Sequence, residues 1–84
     1  MVLSDEIYTD LTFSNEYNSI SRFYPELTFI TGGLSKWCGA GGWRLGTLIF
    51  PEKLSNLCSN IRSLASETFT SVSAPIQYLS LIHI

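Results

Sequence analysis

The chain has 84 residues, a length that allows one small domain and excludes a large enzyme as a complete unit. Hydrophobic residues make up 45% of the sequence and charged residues 14%. This apolar content exceeds what one small core would bury and is typical of the interior of a larger protein. The net charge is −2, and the five Lys and Arg residues are scattered along the sequence. They therefore form no basic cluster of the kind that binds nucleic acid or an anionic membrane.

Several other classes are excluded by what the sequence lacks. No apolar run approaches the roughly 18 residues of a bilayer span, and the acidic pair Asp5-Glu6 stands where a signal peptide would be apolar. We therefore expect a soluble, cytoplasmic protein with no membrane partner. His83 is the only histidine, which excludes His-dependent triads, and we expect no metal site. Cys38 and Cys58 are too few for a disulfide framework and are expected to be reduced and unpaired.

The first half of the chain predicts two strands joined by polar connections. Residues 1–7 begin apolar and end on acidic side chains, which predicts the end of a buried strand that delivers a polar group to a ligand. Residues 9–18 are polar and predict a loop, and residues 19–24 predict a short helical turn that Pro25 ends. Residues 26–31 are β-branched and aromatic, which predicts a second strand.

The second half predicts a third strand and an amphipathic helix. Four glycines fall within residues 39–46, which lets the backbone approach a ligand closely, and residues 43–50 then predict a strand. Apolar residues recur at spacings of three and four in residues 51–65, which predicts a helix that opens on a proline and buries one face on a sheet. Residues 66–73 predict a loop, and residues 74–78 predict the first turn of a further helix that is not completed.

The last six residues, 79–84, have a different interpretation from the rest of the chain. They match a forward translation of CTG TCT CTT ATA CAC ATC, which resembles a transposase end sequence used in shotgun sequencing libraries. We interpret this segment as translated adapter and thus as a non-native tail, in which His83 has no biological role. The alternative is a genuine hydrophobic tail.

Three short motifs stand out by their order and spacing. The first is Ser4-Asp5-Glu6-Ile7-Tyr8 and the second is Gly33-Leu34-Ser35-Lys36. The third is Gly42-Trp43-Arg44-Leu45-Gly46, whose arginine follows the lysine after seven intervening residues. A Ser-Lys pair alone would carry little weight. Together the three motifs resemble the class I aminotransferases, which use pyridoxal 5′-phosphate, and the resemblance covers residues 2–78.

The resemblance implies roles for three residues at the reacting ring of the cofactor. Lys36 matches the lysine that forms a Schiff base, the aldimine, with the cofactor aldehyde and later moves a proton between the substrate Cα and the cofactor C4′. Asp5 matches the aspartate that pairs with the pyridine nitrogen, and Tyr8 matches the tyrosine that hydrogen-bonds the phenolic oxygen. The glycines and Trp37 near Lys36 predict a partly buried amine that can lose its charge.

The resemblance also implies how the cofactor phosphate would be bound. Arg44 matches the arginine that clamps the phosphate, for which a planar guanidinium offers bidentate hydrogen bonds. Many members carry a hydroxyl residue three positions before the lysine, where this chain has Gly33. Ser35 is then the remaining candidate donor. We expect Arg44 and the three ring-binding residues to converge on one concavity at the strand ends.

The fold class that the resemblance implies is α/β. Family members have a three-layer α/β/α large domain and a smaller domain, and they form homodimers in which each active site borrows residues from its partner. Residues 1–78 would be a fragment of that large domain, with two parallel strands, one antiparallel strand and a helix. The parent would transfer an amino group between an α-amino acid and an α-keto acid, and the fragment alone would be inactive.

Two alternatives to this function stay open. The same scaffold also supports lyases and decarboxylases that depend on pyridoxal 5′-phosphate. A small, non-catalytic interaction protein could have inherited the similarity and lost the chemistry.

Overall fold

The computed structural model describes residues 1–14 and 16–83 of the chain. They form a three-stranded sheet and two helices, connected by short 3-10 turns. The strands are β1 (Val2–Asp5), β2 (Thr28–Gly33) and β3 (Gly46–Ile49), and the helices are α1 (Ser55–Thr68) and α2 (Ala74–His83). The chain is therefore a small mixed α/β unit, as the sequence predicts.

The sheet topology brings three loops to one edge of the sheet, namely the edge formed by the C-terminal ends of β1 and β2. β1 pairs with β2 in parallel, with Asp5 beside Thr31, and β2 pairs with β3 in antiparallel fashion, with Gly33 opposite Gly46. This confirms the predicted two parallel strands and one antiparallel strand. The segments that follow β1 and β2, and the segment that precedes β3, therefore all leave the sheet at the same edge.

The predicted helical turn in residues 19–24 is confirmed as a 3-10 turn at Ile20–Arg22. Ser19 caps it, because its Oγ accepts a hydrogen bond from the Ser21 N–H at 3.1 Å. The predicted loop 9–18 begins with another short turn at Thr9–Leu11, and its residue Asn15 lies outside the described residues.

Two strands begin later than predicted. β2 begins at Thr28 instead of residue 26, because Pro25–Leu27 form a 3-10 turn in which the proline fixes φ. β3 begins at Gly46 instead of residue 43, because Gly41–Trp43 form another turn and Arg44 has a φ of 58°. A left-handed residue reverses the chain direction and cannot continue a strand.

Both helices end later than predicted, and α1 also begins later, at Ser55 instead of residue 51, because Glu52–Leu54 form a 3-10 turn. α1 continues to Thr68, whose Oγ1 donates to the carbonyl oxygen of Leu64 at 2.9 Å, so the predicted loop begins only after it. Thr70, with a φ of 66°, then turns the chain away. α2 is a full helix instead of a single turn, because the apolar residues up to 82 include no helix breaker. Ile84, the end of the predicted tail, lies outside the described residues.

The core of the described residues is small. Leu45 and Ile76 are its buried hydrophobic residues, and Thr28 is buried with its hydroxyl donating to the carbonyl oxygen of Tyr24 at 2.6 Å. The rings of two half-buried phenylalanines, at positions 29 and 50, stack with their centres 5.2 Å apart. Most of the large apolar side chains are therefore left at the surface.

Two expectations about burial are wrong for this chain. β1 is not a buried strand: Leu3 is 58% exposed, because β1 is an edge strand whose one partner among the described residues is β2. α1 contains no buried residue, and Leu64 on its predicted apolar face is exposed. Within the described ranges, neither helix has the length and apolar character that a membrane crossing requires.

Candidate functional site

Asp5 ends β1 at the edge of the sheet where the three loops meet. The Thr31 hydroxyl donates to Asp5 Oδ1 at 3.0 Å, and the Ile7 N–H donates to the same oxygen at 3.3 Å. The carboxylate is exposed. It is thus oriented by two donors and still accessible to a donor from a ligand.

Tyr8 and Lys36 lie against each other although they come from different loops. Tyr8 belongs to a turn after β1 in which the Thr9 N–H donates to the Glu6 carbonyl oxygen at 3.1 Å. Lys36 lies in a turn after β2, and its Nζ is 5.3 Å from the centre of the Tyr8 ring. This distance is within the range of a cation–π interaction. The structure therefore brings together two of the predicted site residues.

The predicted partial burial of Lys36 is wrong for this chain. The lysine is exposed, because its turn extends beyond the end of β2 and the neighbouring Trp37 is itself 44% exposed.

The segment that carries Ser35 is a compact loop. The Ala40 N–H donates to the carbonyl oxygen of Leu34 at 3.3 Å, and the Cys38 thiol donates to the same oxygen at 3.0 Å. Ser35 is half-buried and lies beside Gly41, where an added Cβ would be 3.7 Å from the serine Cβ. The loop thus keeps Ser35 close to the turn that precedes Arg44.

Arg44 has a left-handed backbone, with φ 58° and ψ 41°. Its Nη1 donates to the carbonyl oxygen of Gly41 at 2.5 Å, which folds the side chain over its own turn. A non-glycine residue in this region costs about 1 kcal/mol or more, and such backbone strain is concentrated at functional sites. Arg44 lines a groove of about 850 Å³ together with Thr31 and Phe69.

The four principal residues form two groups and do not share one groove. The first group is Asp5 and Arg44, which are connected through Thr31: its hydroxyl donates to Asp5, and it lines the groove of Arg44, which Asp5 itself does not line. Tyr8 and Lys36 form the second group and do not line that groove. Both groups lie at the same edge of the sheet.

Gly33 has a steric reason to lack a side chain. Its φ is 155°, and a Cβ added to it would lie 2.6 Å from the carbonyl oxygen of Leu45, closer than real Cβ atoms come. That oxygen is also held in place by the Leu34 N–H at 3.3 Å. A hydroxyl residue, as many family members have at this position, does not fit this backbone.

The sequence did not predict a role for Glu6, whose carboxylate is a shared hydrogen-bond acceptor next to the site. Its Oε1 accepts hydrogen bonds from Ser4 Oγ at 3.0 Å and from Ser19 Oγ at 2.7 Å. Partial burial, followed by the hydrogen bond and charge of Glu6, raises the pKa of Tyr17 above its ordinary value of 10.0. The only signal in the sequence is an acidic residue among hydroxyl residues, which is too common to be informative.

The remaining reactive groups are the two cysteines, which are free thiols as predicted: Cys38 is exposed and Cys58 is half-buried. Among the side chains that the structure describes, in residues 1–14 and 16–82, no three His, Cys, Asp or Glu side chains are grouped so that they could hold a metal ion.

Comparison with known proteins relates the chain to aminotransferases. It is 34% identical over 83 residues to the aspartate aminotransferase of Thermotoga maritima, and this alignment covers 95% of this chain and 21% of that protein. It is 41% identical over 54 residues to the "Probable N-acetyl-LL-diaminopimelate aminotransferase" of Bacillus subtilis, and the alignment covers 64% of this chain and 14% of that protein. It is 32% identical over 74 residues to the aspartate/prephenate aminotransferase of Thermus thermophilus, and the alignment covers 88% of this chain and 18% of that protein.

The chain spans between 14% and 21% of the length of these three relatives. No solved structure gives a significant match to it. Residues 1–82 match the family described as aminotransferase class I and II. Because that match covers nearly the whole chain, the chain belongs to the aminotransferase class I and II family.

Proposed function

We propose that residues 1–78 are part of the large domain of an aminotransferase that depends on pyridoxal 5′-phosphate. The parent would have the three-layer α/β/α architecture and would transfer an amino group between an α-amino acid and an α-keto acid. The observation that carries the proposal is the contact of Lys36 Nζ with the Tyr8 ring at the edge where Asp5 ends β1. The relatives named above are all called aminotransferases, which favours amino transfer over the two alternatives.

The donor groups at this edge fit pyridoxal 5′-phosphate. The Lys36 amine suits the aldehyde, the Asp5 carboxylate suits a protonated ring nitrogen, and the Tyr8 hydroxyl suits the phenolic oxygen. The Arg44 guanidinium, with the Ser35 hydroxyl nearby, suits the phosphate. All of these residues except Ser35 are exposed, so a ligand can reach them.

Each residue would contribute through the position that the fold gives it. When bound, pyridoxal 5′-phosphate supplies an electron sink for the electrons left on the substrate Cα. Lys36 would take and return the proton at that carbon, and Tyr8 would orient the Lys36 amine through the contact with its ring. Asp5, oriented by the Thr31 hydroxyl, would accept a hydrogen bond from the ring nitrogen.

Assembly and location belong to the same proposal. The parent would act as a cytoplasmic homodimer, and its other segments or its second subunit would cover the apolar surface that this chain leaves exposed. Trp43 and Phe69, at 60% and 67% exposure, are examples of that surface. We propose that the tail 79–84 takes no part in the function.

The test is amino transfer by the full-length protein that contains this sequence, measured with a panel of α-amino acid donors and α-keto acid acceptors. Asp5→Asn should lower the rate by about 100-fold or more, because an uncharged amide no longer stabilises a protonated ring nitrogen. Asp10→Asn, at another exposed aspartate, is the matched control. Release of CO₂ or ammonia without amino transfer would contradict the proposal and favour the decarboxylase or lyase alternative.

A further inference from the structure

Glu6 connects four parts of the structure through three of its own groups. Its N–H donates to the carbonyl oxygen of Thr31 in β2 at 2.8 Å. Its carbonyl oxygen accepts hydrogen bonds from the N–H and the hydroxyl of Thr9. Its carboxylate accepts from Ser4 of β1 and from Ser19 of the segment that returns towards β2. Glu6 therefore attaches the loop after β1 to the sheet.

Tyr8 lies in two turns that backbone hydrogen bonds close. The turn that contains it is closed by the hydrogen bond from Thr9 to Glu6, and the next turn is closed by the Leu11 N–H, which donates to the Tyr8 carbonyl oxygen at 3.0 Å. The direction of the Tyr8 ring, and with it the 5.3 Å contact to Lys36, therefore depends on where Glu6 is held.

The carboxylate of Glu6 is itself held by fixed donors. Ser19 is oriented by the Ser21 N–H at 3.1 Å and lies 2.7 Å from the Ser21 hydroxyl. Glu6 and its serine partners are all half-buried. Hydrogen bonds to a carboxylate are about twice as strong as those between neutral groups, so this network resists movement of the turn.

We propose, on the basis of the function proposed above, that Glu6 is a positioning residue of the site. Its carboxylate anchors the turn that presents Tyr8 to Lys36 and to the phenolic oxygen of the cofactor. Without the anchor, the Tyr8 hydroxyl would be a poorer donor to that oxygen, which would become more basic.

The experiment compares Glu6→Ala, Glu6→Gln and Ser19→Ala in the full-length protein, with Glu52→Ala at an exposed glutamate as the control. Amide hydrogen exchange of Thr9 and Leu11 in the cofactor-free protein reports the anchoring of the turn. Two further readouts use pyridoxal 5′-phosphate: its dissociation constant and the pH midpoint of the absorbance of the bound cofactor.

We expect Glu6→Ala and Ser19→Ala to speed the exchange of both amides, to weaken pyridoxal 5′-phosphate binding on the order of tenfold, and to move the midpoint to higher pH. Glu6→Gln keeps an acceptor oxygen for the serine hydroxyls and should restore most of each property. Glu52→Ala should behave like the wild type. If Glu6→Ala does not fold, Ser19→Ala and Glu6→Gln carry the same comparison.

Unchanged exchange in Ser19→Ala and in a folded Glu6→Ala would overturn the proposal. Faster exchange with an unchanged pH midpoint of the cofactor absorbance would also overturn it, because Glu6 would then contribute to stability and not to the positioning of Tyr8. A wild-type protein that binds no pyridoxal 5′-phosphate would contradict the proposed function instead, and the exchange rates would then decide the anchoring by themselves.

Discussion

The Nζ atom of Lys36 lies 5.3 Å from the centre of the Tyr8 ring. The two residues belong to loops that follow β1 and β2, and they meet because these parallel neighbours end at the same edge. A cation over an aromatic ring at an exposed site contributes about 0.5–1 kcal/mol. This is too little to stabilise the fold appreciably, so the contact matters chiefly for the orientation of the amine.

The ring and the hydroxyl of Tyr8 should have separable effects. Tyr8→Phe keeps the ring under Lys36 and removes the donor to the phenolic oxygen, so the absorbance midpoint of bound pyridoxal 5′-phosphate should move to higher pH. Tyr8→Leu removes both the ring and the donor, so its midpoint should move to higher pH at least as far as that of Tyr8→Phe. Titration of the absorbance in the full-length protein checks this, and identical midpoints in the wild type and Tyr8→Phe would refute it.

Substitution of Gly33 should destabilise the protein. A Cβ at this position would lie 2.6 Å from the Leu45 carbonyl oxygen, so Gly33→Ser should lower the free energy of unfolding by about 2 kcal/mol or more. Gly42→Ser is the control, because an added Cβ there meets no atom within 4 Å. Denaturant unfolding of the full-length protein measures both. A Gly33→Ser variant as stable as Gly42→Ser would show that the backbone accommodates the family's usual hydroxyl.

The raised pKa of Tyr17 predicts a loss of stability at alkaline pH. Below pH 10.0 the tyrosine is protonated in both the folded and the unfolded states, so its contribution to stability is fully present. Above that pH the unfolded state loses the proton first, and the free energy of unfolding falls until the folded state also loses it. Tyr17→Phe should remove this part of the decline, whereas Tyr24→Phe should retain it. An equal decline in both variants would be evidence against the Glu6–Tyr17 interaction.

Residues 1–78 expressed alone should neither unfold cooperatively nor transfer amino groups. Leu45 and Ile76 are the buried hydrophobic residues of the described chain, and a core of that size cannot offset the conformational entropy of folding. Thermal unfolding followed by circular dichroism, with a dye that binds exposed apolar surface, tests this. A sharp transition accompanied by turnover would identify the chain as a complete minimal enzyme.

The types of the secondary-structure elements could be predicted from sequence because their signals are local. The β-branched residues of β2 and the three-and-four spacing of α1 depend only on near neighbours. The boundaries depend on contacts that the sequence does not display. The start of β3 is delayed by the left-handed backbone of Arg44, whose side chain bonds to Gly41.

The site was predictable only in part, for a similar reason. Resemblance supplied Asp5, Tyr8, Lys36 and Arg44 as candidates, but not their division into two groups at the sheet edge. The role of Glu6 depends on Ser19, which is thirteen positions away and becomes its neighbour only when the loop folds back.

The identity of the lysine that binds the cofactor tests the proposed site most directly. The full-length protein is loaded with pyridoxal 5′-phosphate, reduced with borohydride and digested, and the modified peptide is located by mass spectrometry. We expect a single modified peptide that contains Lys36, no such adduct in Lys36→Ala, and normal labelling in Lys53→Ala, at an exposed lysine that pairs with Glu26. An adduct that persists in Lys36→Ala, or that forms on another lysine in the wild type, would contradict it.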